Sequence, residues 1–317
     1  MDVVGIDVSK ADFHACLFQG EKTSKKCFPN GASGYRQILG WLRNRRCVDT
    51  HACMEATGAY WMGLADALHK AGVAVSVVNP SRTALFARSQ LRRTKTDAVD
   101  AEMLAQFCAT QRPPLWTPPA PEIVELRGLL AYRDHLVAEQ VRSKQVAQGV
   151  RLTGNLERLH GEQLETLAEM LDEIDQRIRE IVGLHNGLQS AVNALEGVKG
   201  IGFLTAVALV AKLPVSRLRD GKAAAAYVGL SPSERQSGTS VRGKTRICKT
   251  GCASLRRDLY MPAMTAMRYN PILTAFAQRL REKSKPPKVI IAAVMRKLVV
   301  LAFYAIKKAS ENDPIAA

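Results

Sequence analysis

The chain has 317 residues, of which 47% are hydrophobic and 23% charged, as is ordinary for a soluble globular protein. Its net charge of +16 is unusual, and the whole surplus lies between residues 197 and 317, which hold 22 Lys and Arg against 6 Asp and Glu. A surplus confined to one region predicts a polyanion-binding module and disfavours the alternative of a generally basic surface.

The sequence carries no pattern typical of a secreted, zinc-binding or membrane protein. The seven cysteines form no CxxC pair, and Cys248 and Cys252 have no histidine near them, so we expect free thiols in a reducing cytosol. The N-terminal residues lack the pattern of a signal peptide. The apolar run 289–306 is interrupted by Arg296 and Lys297, so we expect no membrane span and predict a cytoplasmic protein.

The first part of the chain alternates between strand and helix patterns. Apolar or alternating residues predict strands at 3–8, 12–18, 22–28, 50–54 and 73–78, and helices at 31–46, 60–70, 81–89 and 97–111. Three strands in a meander followed by βα crossovers predict a mixed sheet with helices on its faces. That is the element order of the ribonuclease-H-like fold.

The middle of the chain is predicted to be helical. Prolines between 113 and 121 indicate a stiff linker, which places a first domain at 1–118 and a helical region at 119–195, broken near Thr153-Gly154. A heptad pattern runs through Leu164, Leu167, Leu171, Ile174, Ile178, Ile181 and Leu188. We interpret it as a coiled coil that joins subunits into a dimer or tetramer; the alternative is one helix of a local bundle.

The basic region 196–317 is predicted to be a mainly helical domain. Its helices are broken at Asn270-Pro271 and at 285–287, and the segment Gly197–Gly202 resembles a helix-hairpin-helix turn, which presents backbone N–H groups to phosphate. The stretch from Ser231 to Lys244 combines hydroxyls, glycines and positive charge, which also suits phosphate.

Four carboxylates occupy positions where this fold would use them. Asp7 ends the first strand and Glu55 follows the fourth, and these two strands are neighbours in a ribonuclease-H-like sheet. Asp97 and Asp100 share one face of a helix. The set is suited to one or two Mg²⁺ ions. Alternatively, Asp97 and Asp100 only favour a helix N-terminus capped by Thr94.

Several motifs together resemble a known family. GIDVSK, MEATG, KTDAVDAEMLA, YVGLSPSERQSGTSVRGK and LRRDLYMPA are similar to those of the "IS one-ten" family of insertion-sequence transposases, over a stretch from Val4 to about Pro262. The resemblance implies a RuvC-like DEDD domain, a coiled coil and a C-terminal transposase domain. It also implies a structured non-coding RNA, made from the element, that pairs with donor and target DNA.

Matching the motifs assigns roles to residues of this chain. The DEDD acids are Asp7, Glu55, Asp97 and Asp100, and the catalytic serine is Ser237 of QSGTSVRG. Composition alone leaves Ser231, Ser233, Ser237 and Ser240 equally eligible. Phosphate contacts are expected from Arg235, Arg242, Lys244, Arg246, Lys249 and Lys199.

The sequence therefore predicts an Mg²⁺-assisted DNA recombinase that forms a covalent serine–phosphate link, with acids and serine in separate domains. Two alternatives stay open. One is a RuvC-like junction nuclease in which water attacks and the serine only binds phosphate. The other is a non-catalytic nucleic-acid-binding protein.

Overall fold

A computed structural model describes residues 2–90, 96–234, 236–237, 241–242 and 246–312. The chain forms two compact units, Met1–Pro118 and Pro119–Ala317. The first unit ends within the proline-rich stretch. The helices of region 119–195 belong to the same unit as those of the basic region.

The first unit is built on a five-stranded sheet in the order β3-β2-β1-β4-β5. The strands are β1 Asp2–Val8, β2 Asp12–Gln19, β3 Lys22–Pro29, β4 Thr50–Glu55 and β5 Ala74–Val78. The first three pair antiparallel, whereas β4 lies parallel to β1 and to β5. This confirms the mixed, ribonuclease-H-like sheet.

Helices cover both faces of the sheet, and the alternation of side chains along the strands decides which residues meet them. The helices are α1 Ala32–Asn44, α2 Met62–Lys70, α3 Pro80–Ser89 and α4 Asp97–Gln111. Ile6, Phe13 and Met54 lie in the core shared with α1 and α2. Val3 and Cys53 point to the opposite face, where they pack with residues of α4.

The second unit is mainly helical. Its helices are α5 Pro121–Gly149, α6 Asn155–Leu184, α7 Asn186–Glu196, α8 Phe203–Lys212, α9 Gly221–Tyr227, α10 Ala253–Asp258, α11 Tyr260–Tyr269, α12 Pro271–Glu282 and α13 Pro287–Asn312. The predicted breaks at Asn270 and at 285–287 are confirmed. Between α9 and α10 lie the two-residue strands β6 Pro232–Ser233, β7 Gln236–Ser237, β8 Val241–Arg242 and β9 Arg246–Ile247.

The heptad face of α6 packs within the chain. Ile174, Ile178 and Ile181 are buried, and α6 runs along α5, with Arg133 Nε 2.6 Å from Asp175 Oδ1. The helix ends at Leu184, so Leu188 of the predicted heptad belongs to α7. The local-bundle alternative accounts for this buried face, and pairing with another subunit stays a prediction.

Helix α13 is long and apolar enough to cross a membrane. Val294, Leu298 and Phe303 are nevertheless fully buried in the core of the second unit, where α13 packs on α7, α9, α11 and α12. This is the environment of a core helix.

Candidate active site and nucleic-acid interface

Asp7 and Glu55 stand at the same edge of the sheet. Asp7 is the sixth residue of β1, and Glu55 is the last residue of β4. The two strands are parallel neighbours, and Ile6 lies opposite Met54 in their ladder. Neighbouring parallel strands keep their register to their ends. Asp7 and Glu55, which follow this pair, therefore lie side by side.

Helix α4 brings Asp97 and Asp100 to that edge. The helix begins at Asp97, and its N-cap is Thr96, whose side chain accepts from the Val99 N–H; the cap predicted at Thr94 was wrong, and Thr94 itself lies outside the described residues. Both acids are in the first turn, where they also favour the helix dipole. His14, directly opposite Asp7 on β2, has its Nε2 3.9 Å from Asp97 Oδ2.

Gly5 determines how closely α4 approaches the sheet. A Cβ at this position would lie 2.1 Å from both the Ala101 carbonyl oxygen and the Ala105 nitrogen. The helix backbone therefore rests on strand β1 with no room for a side chain between them. The first turn of α4 is thereby held close to Asp7, two residues further along the strand.

The four acids act on one another electrostatically. Burial and the charges of Asp100, Asp97 and Glu55, in that order, raise the pKa of Asp7 to about 6, and His14 opposes the shift. A carboxyl whose pKa is raised by three like charges lies where negative charge is concentrated, which is where a divalent cation binds. In the described part of the chain, no three of these four bring their oxygens within 4.8 Å of one another.

Glu55 is positioned by two threonines that the sequence did not single out. The Thr83 hydroxyl lies 2.6 Å from Glu55 Oε1 and 2.9 Å from the Pro80 carbonyl oxygen, and Thr83 is fully buried. Thr57 donates to Glu55 Oε2 at 3.4 Å. The sequence gives one sign of this position. Asn79-Pro80 indicates a helix start, with Asn79 as the N-cap and Pro80 as the first residue of α3, so that Thr83 lies in the first turn.

Ser237 lies on β7, opposite Val241 of β8. Gln236 pairs with Arg242 in the same ladder, so the serine and Arg242 belong to one short hairpin. Arg235, Ser240 and Lys244 are outside the described residues. The acids and the serine thus belong to different units of the chain.

The segment that carries Ser237, residues 230–248, is held by hydrogen bonds between the residues at its two ends. The Lys249 N–H donates to the Gly229 carbonyl at 3.1 Å, and Nη1 of Arg256 donates to the carbonyls of Val228 and Lys249 at 3.0 and 3.2 Å. Gly251, with φ +138°, approaches so closely that a Cβ would lie 2.2 Å from the Tyr227 carbonyl oxygen. Both ends of the segment are therefore joined through backbone groups.

The remaining predicted phosphate contacts are exposed. Arg246 and Lys249 lie at the C-terminal end of the segment that carries Ser237, and Lys199 lies in the turn between α7 and α8. Gly200 of that turn has φ +109°, and a groove of about 480 Å³ beside it is lined partly by Gly202 and Thr205. The turn thus joins two helices, as expected from its glycines, and its assignment as a helix-hairpin-helix stays a prediction.

Two family models match the chain. One, described as "Transposase", matches residues 4–158, and the other, described as "Transposase IS116/IS110/IS902 family", matches residues 192–278. The first match covers the sheet unit with all four acids. The second covers the turn between α7 and α8 and the segment that carries Ser237.

Curated relatives and solved structures give further likenesses. The "Pilin gene-inverting protein" of Moraxella lacunata is 31% identical over 314 residues, covering 96% of this chain and 95% of the relative, and that of Moraxella bovis is 31% identical over 315 residues with the same coverage. The structure titled "T. thermophilus RuvC in complex with Holliday junction substrate" is 14% identical, with a TM-score of 0.28, and covers 35% of this chain and 96% of its own.

Proposed function

Because this chain belongs to the IS116/IS110/IS902 family of transposases, we propose that it is a site-specific recombinase that excises and inserts a bacterial insertion sequence. Family membership makes it an enzyme of DNA recombination. The two Moraxella relatives are named for inverting a pilin gene, which is a cutting and rejoining of DNA and supports the proposal. The observation that carries it is the concentration of acids around Asp7.

The acids are proposed to bind Mg²⁺. Asp7, Glu55, Asp97 and Asp100 offer only oxygen ligands, the type that Mg²⁺ prefers. Burial and then the charges of the other three acids raise the pKa of Asp7, and a bound cation would relieve that repulsion. When bound, Mg²⁺ would neutralise charge that develops on the phosphate. Thr83 would keep Glu55 oriented for this purpose.

Ser237 is proposed to be the nucleophile. Its hydroxyl oxygen would attack the scissile phosphorus, forming a phosphoserine diester and releasing a deoxyribose hydroxyl. Attack by a deoxyribose hydroxyl on the phosphoserine would then rejoin DNA and free the serine. The covalent link would keep the energy of the broken bond, so that rejoining needs no external cofactor.

Nucleic-acid binding is assigned to the basic region. Arg235, Arg242, Lys244, Arg246, Lys249 and Lys199 would contact phosphates and supply affinity without reading sequence. Choice of donor and target sites would be delegated to a non-coding RNA made from the element. We further propose that the chain forms a homo-oligomer through the α5–α6 region. We also propose that it works in the cytoplasm.

A recombination assay with trapping tests the nucleophile. We expect Ser237→Ala and Asp7→Ala each to lower strand exchange by on the order of 10³-fold or more, whereas Ser233→Ala, in the same segment, retains activity. Denaturing electrophoresis of the wild type should show a DNA–protein adduct that Ser237→Ala cannot form.

Two outcomes would contradict the proposal. Hydrolysed DNA ends without an adduct, and with Ser237→Ala still active, would assign a junction nuclease in which water attacks. Salt-sensitive binding without any Mg²⁺-dependent cleavage would assign a non-catalytic nucleic-acid-binding protein.

A further inference from the structure

A second group of metal-ligand side chains lies on the β2–β3 hairpin. Asp12, His14 and Cys27 each bring one ligand atom to within 4.8 Å of the other two. None of the three belongs to the acid cluster of Asp7, Glu55, Asp97 and Asp100. The hairpin therefore holds a cluster that the proposed recombination chemistry does not use.

The register of the hairpin creates this cluster. His14 lies directly opposite Cys27 in the antiparallel β2–β3 ladder, so their side chains emerge from the same face. Asp12 precedes His14 by two residues on β2 and shares that face. Three ligands on two paired strands have fixed backbone positions, so little conformational entropy would be lost on binding an ion.

Neighbouring contacts hold two of the ligands. The Ser9 hydroxyl donates to Asp12 Oδ1 at 2.8 Å. His14 Nε2 lies 3.9 Å from Asp97 Oδ2, and a carboxylate beside a ligating histidine is a recurrent feature of metal sites because it orients the ring. Lys25 Nζ, 2.5 Å from Glu102 Oε2, joins β3 to α4 beside the cluster.

We propose that Asp12, His14 and Cys27 form a binding site for a divalent transition-metal cation of the Zn²⁺ class. A thiolate, an imidazole and a carboxylate suit Zn²⁺ or Co²⁺ and are unlike the all-oxygen set that Mg²⁺ prefers. Three protein ligands leave a fourth tetrahedral position for water or a further ligand. His14 and Cys27 are half-buried and exposed, respectively, so an ion has access from solvent.

The test uses Co²⁺ as a spectroscopic probe. The full chain, freed of metal by a chelator, is titrated with Co²⁺ in the presence of excess Mg²⁺. We expect a thiolate-to-Co²⁺ charge-transfer band that saturates at one ion per chain and is removed by Zn²⁺. Cys27→Ser should remove the band, and His14→Gln should weaken Co²⁺ binding at least about 10-fold.

Three controls separate this site from others. Cys47→Ser, at a partly exposed cysteine of the same unit, should retain the band, and so should Asp7→Asn, which alters the acid cluster. In the unmutated chain, Zn²⁺ should protect Cys27 but not Cys47 from alkylation, as read by peptide mass spectrometry. Absence of the band, its persistence in Cys27→Ser, or equal alkylation with and without Zn²⁺ would each overturn the proposal.

Discussion

The acid cluster and the serine segment are held in place in different ways. The acids stand on β1, β4 and α4, which are seven, six and fifteen residues long. Ser237 stands on a strand of two residues, and its segment is fastened at residues 228–229 and 249–251. Long regular elements therefore fix the acids, whereas the serine is held by two-residue ladders and by hydrogen bonds at the ends of its segment.

Gly5→Ala should have the largest effect on the acid side of this comparison. A methyl group there would meet the α4 backbone at 2.1 Å, so the helix must move away from the sheet and carry Asp97 and Asp100 with it. We expect a loss of about 3 kcal/mol in the free energy of unfolding, and loss of recombination. Denaturant titration measures the free energy of unfolding, and a strand-exchange assay measures recombination.

Gly40→Ala is the matched control. Gly40 lies within α1, and nothing stands within 4 Å of the position that an alanine methyl group would take there, so alanine should stabilise the chain by about 0.5–1 kcal/mol. Equal stabilities of the two variants would show that α4 does not rest on Gly5.

Asp7→Asn should stabilise the chain in a pH-dependent way. The folded pKa of about 6 exceeds the ordinary aspartate pKa of 3.8, so the protonated acid is favoured by folding; its contribution is fully present below pH 3.8 and is lost as the pH rises through 6. At pH 8 without divalent ions, we expect the free energy of unfolding of Asp7→Asn to exceed that of the wild type by about 1–2 kcal/mol, less than the full pKa shift because Asp7 is partly exposed to solvent. Thermal or denaturant unfolding in a chelator checks this.

The stability gained by Asp7→Asn should shrink below pH 4. It should also shrink when Mg²⁺ is added, because the proposed binding of Mg²⁺ to the acids would stabilise the wild type more. Asp66→Asn, at an exposed ion pair with Lys70 on α2 in the same unit, should show no dependence on Mg²⁺. A gain from Asp7→Asn that is constant from pH 4 to pH 8 would contradict the electrostatic account.

Thr83→Val should weaken the acid site without removing an acid. The substitution keeps the side-chain shape but loses the hydroxyl that lies 2.6 Å from Glu55 Oε1. We expect the Mg²⁺ concentration needed for half-maximal recombination to rise about 10- to 100-fold. Thr83→Ser should restore it, and Thr110→Val on α4 should leave it unchanged; a wild-type Mg²⁺ requirement in Thr83→Val would argue against this role.

Arg256→Lys has the smallest predicted effect, and it tests how the segment that carries Ser237 is held. A single atom of the guanidinium, Nη1, donates to the carbonyls of both Val228 and Lys249, and the shorter lysine side chain would place its nitrogen further from them. We expect about a 10-fold lower rate of strand exchange, the cost of roughly one weakened hydrogen bond to a charged group, with unchanged secondary structure. Arg268→Lys, exposed on α11, is the control, and equal rates for both variants would remove Arg256 from the positioning of Ser237.

The sheet and the position of its acids could be predicted from the sequence. Alternating apolar residues and the order of elements indicate which strands are neighbours, and Asp7 and Glu55 follow from that order. Membership of the family, carried by the motifs around these residues and Ser237, was confirmed by the comparisons. The roles of these residues stay predictions.

Contacts through space could not be read in the same way. Gly5 has no sequence feature that shows a helix backbone packed on it, and Arg256 looks like any residue of a basic run. The cluster of Asp12, His14 and Cys27 depends on the register of one hairpin, and a shift of one residue would turn Cys27 to the other face. Spacing along the chain therefore gave no sign of a zinc-type ligand set.

The packing of α13 has a consequence for the order of events during synthesis. Its apolar face completes a core that also contains residues of α7, α9 and α11, so that core cannot close until residues 287–312 have left the ribosome. The sheet unit, whose strands all lie before residue 79, can fold much earlier. A nascent chain would thus hold its four acids in place before the unit that carries Ser237 is stable. If both are needed, as proposed, DNA cleavage would begin only after translation has passed α13.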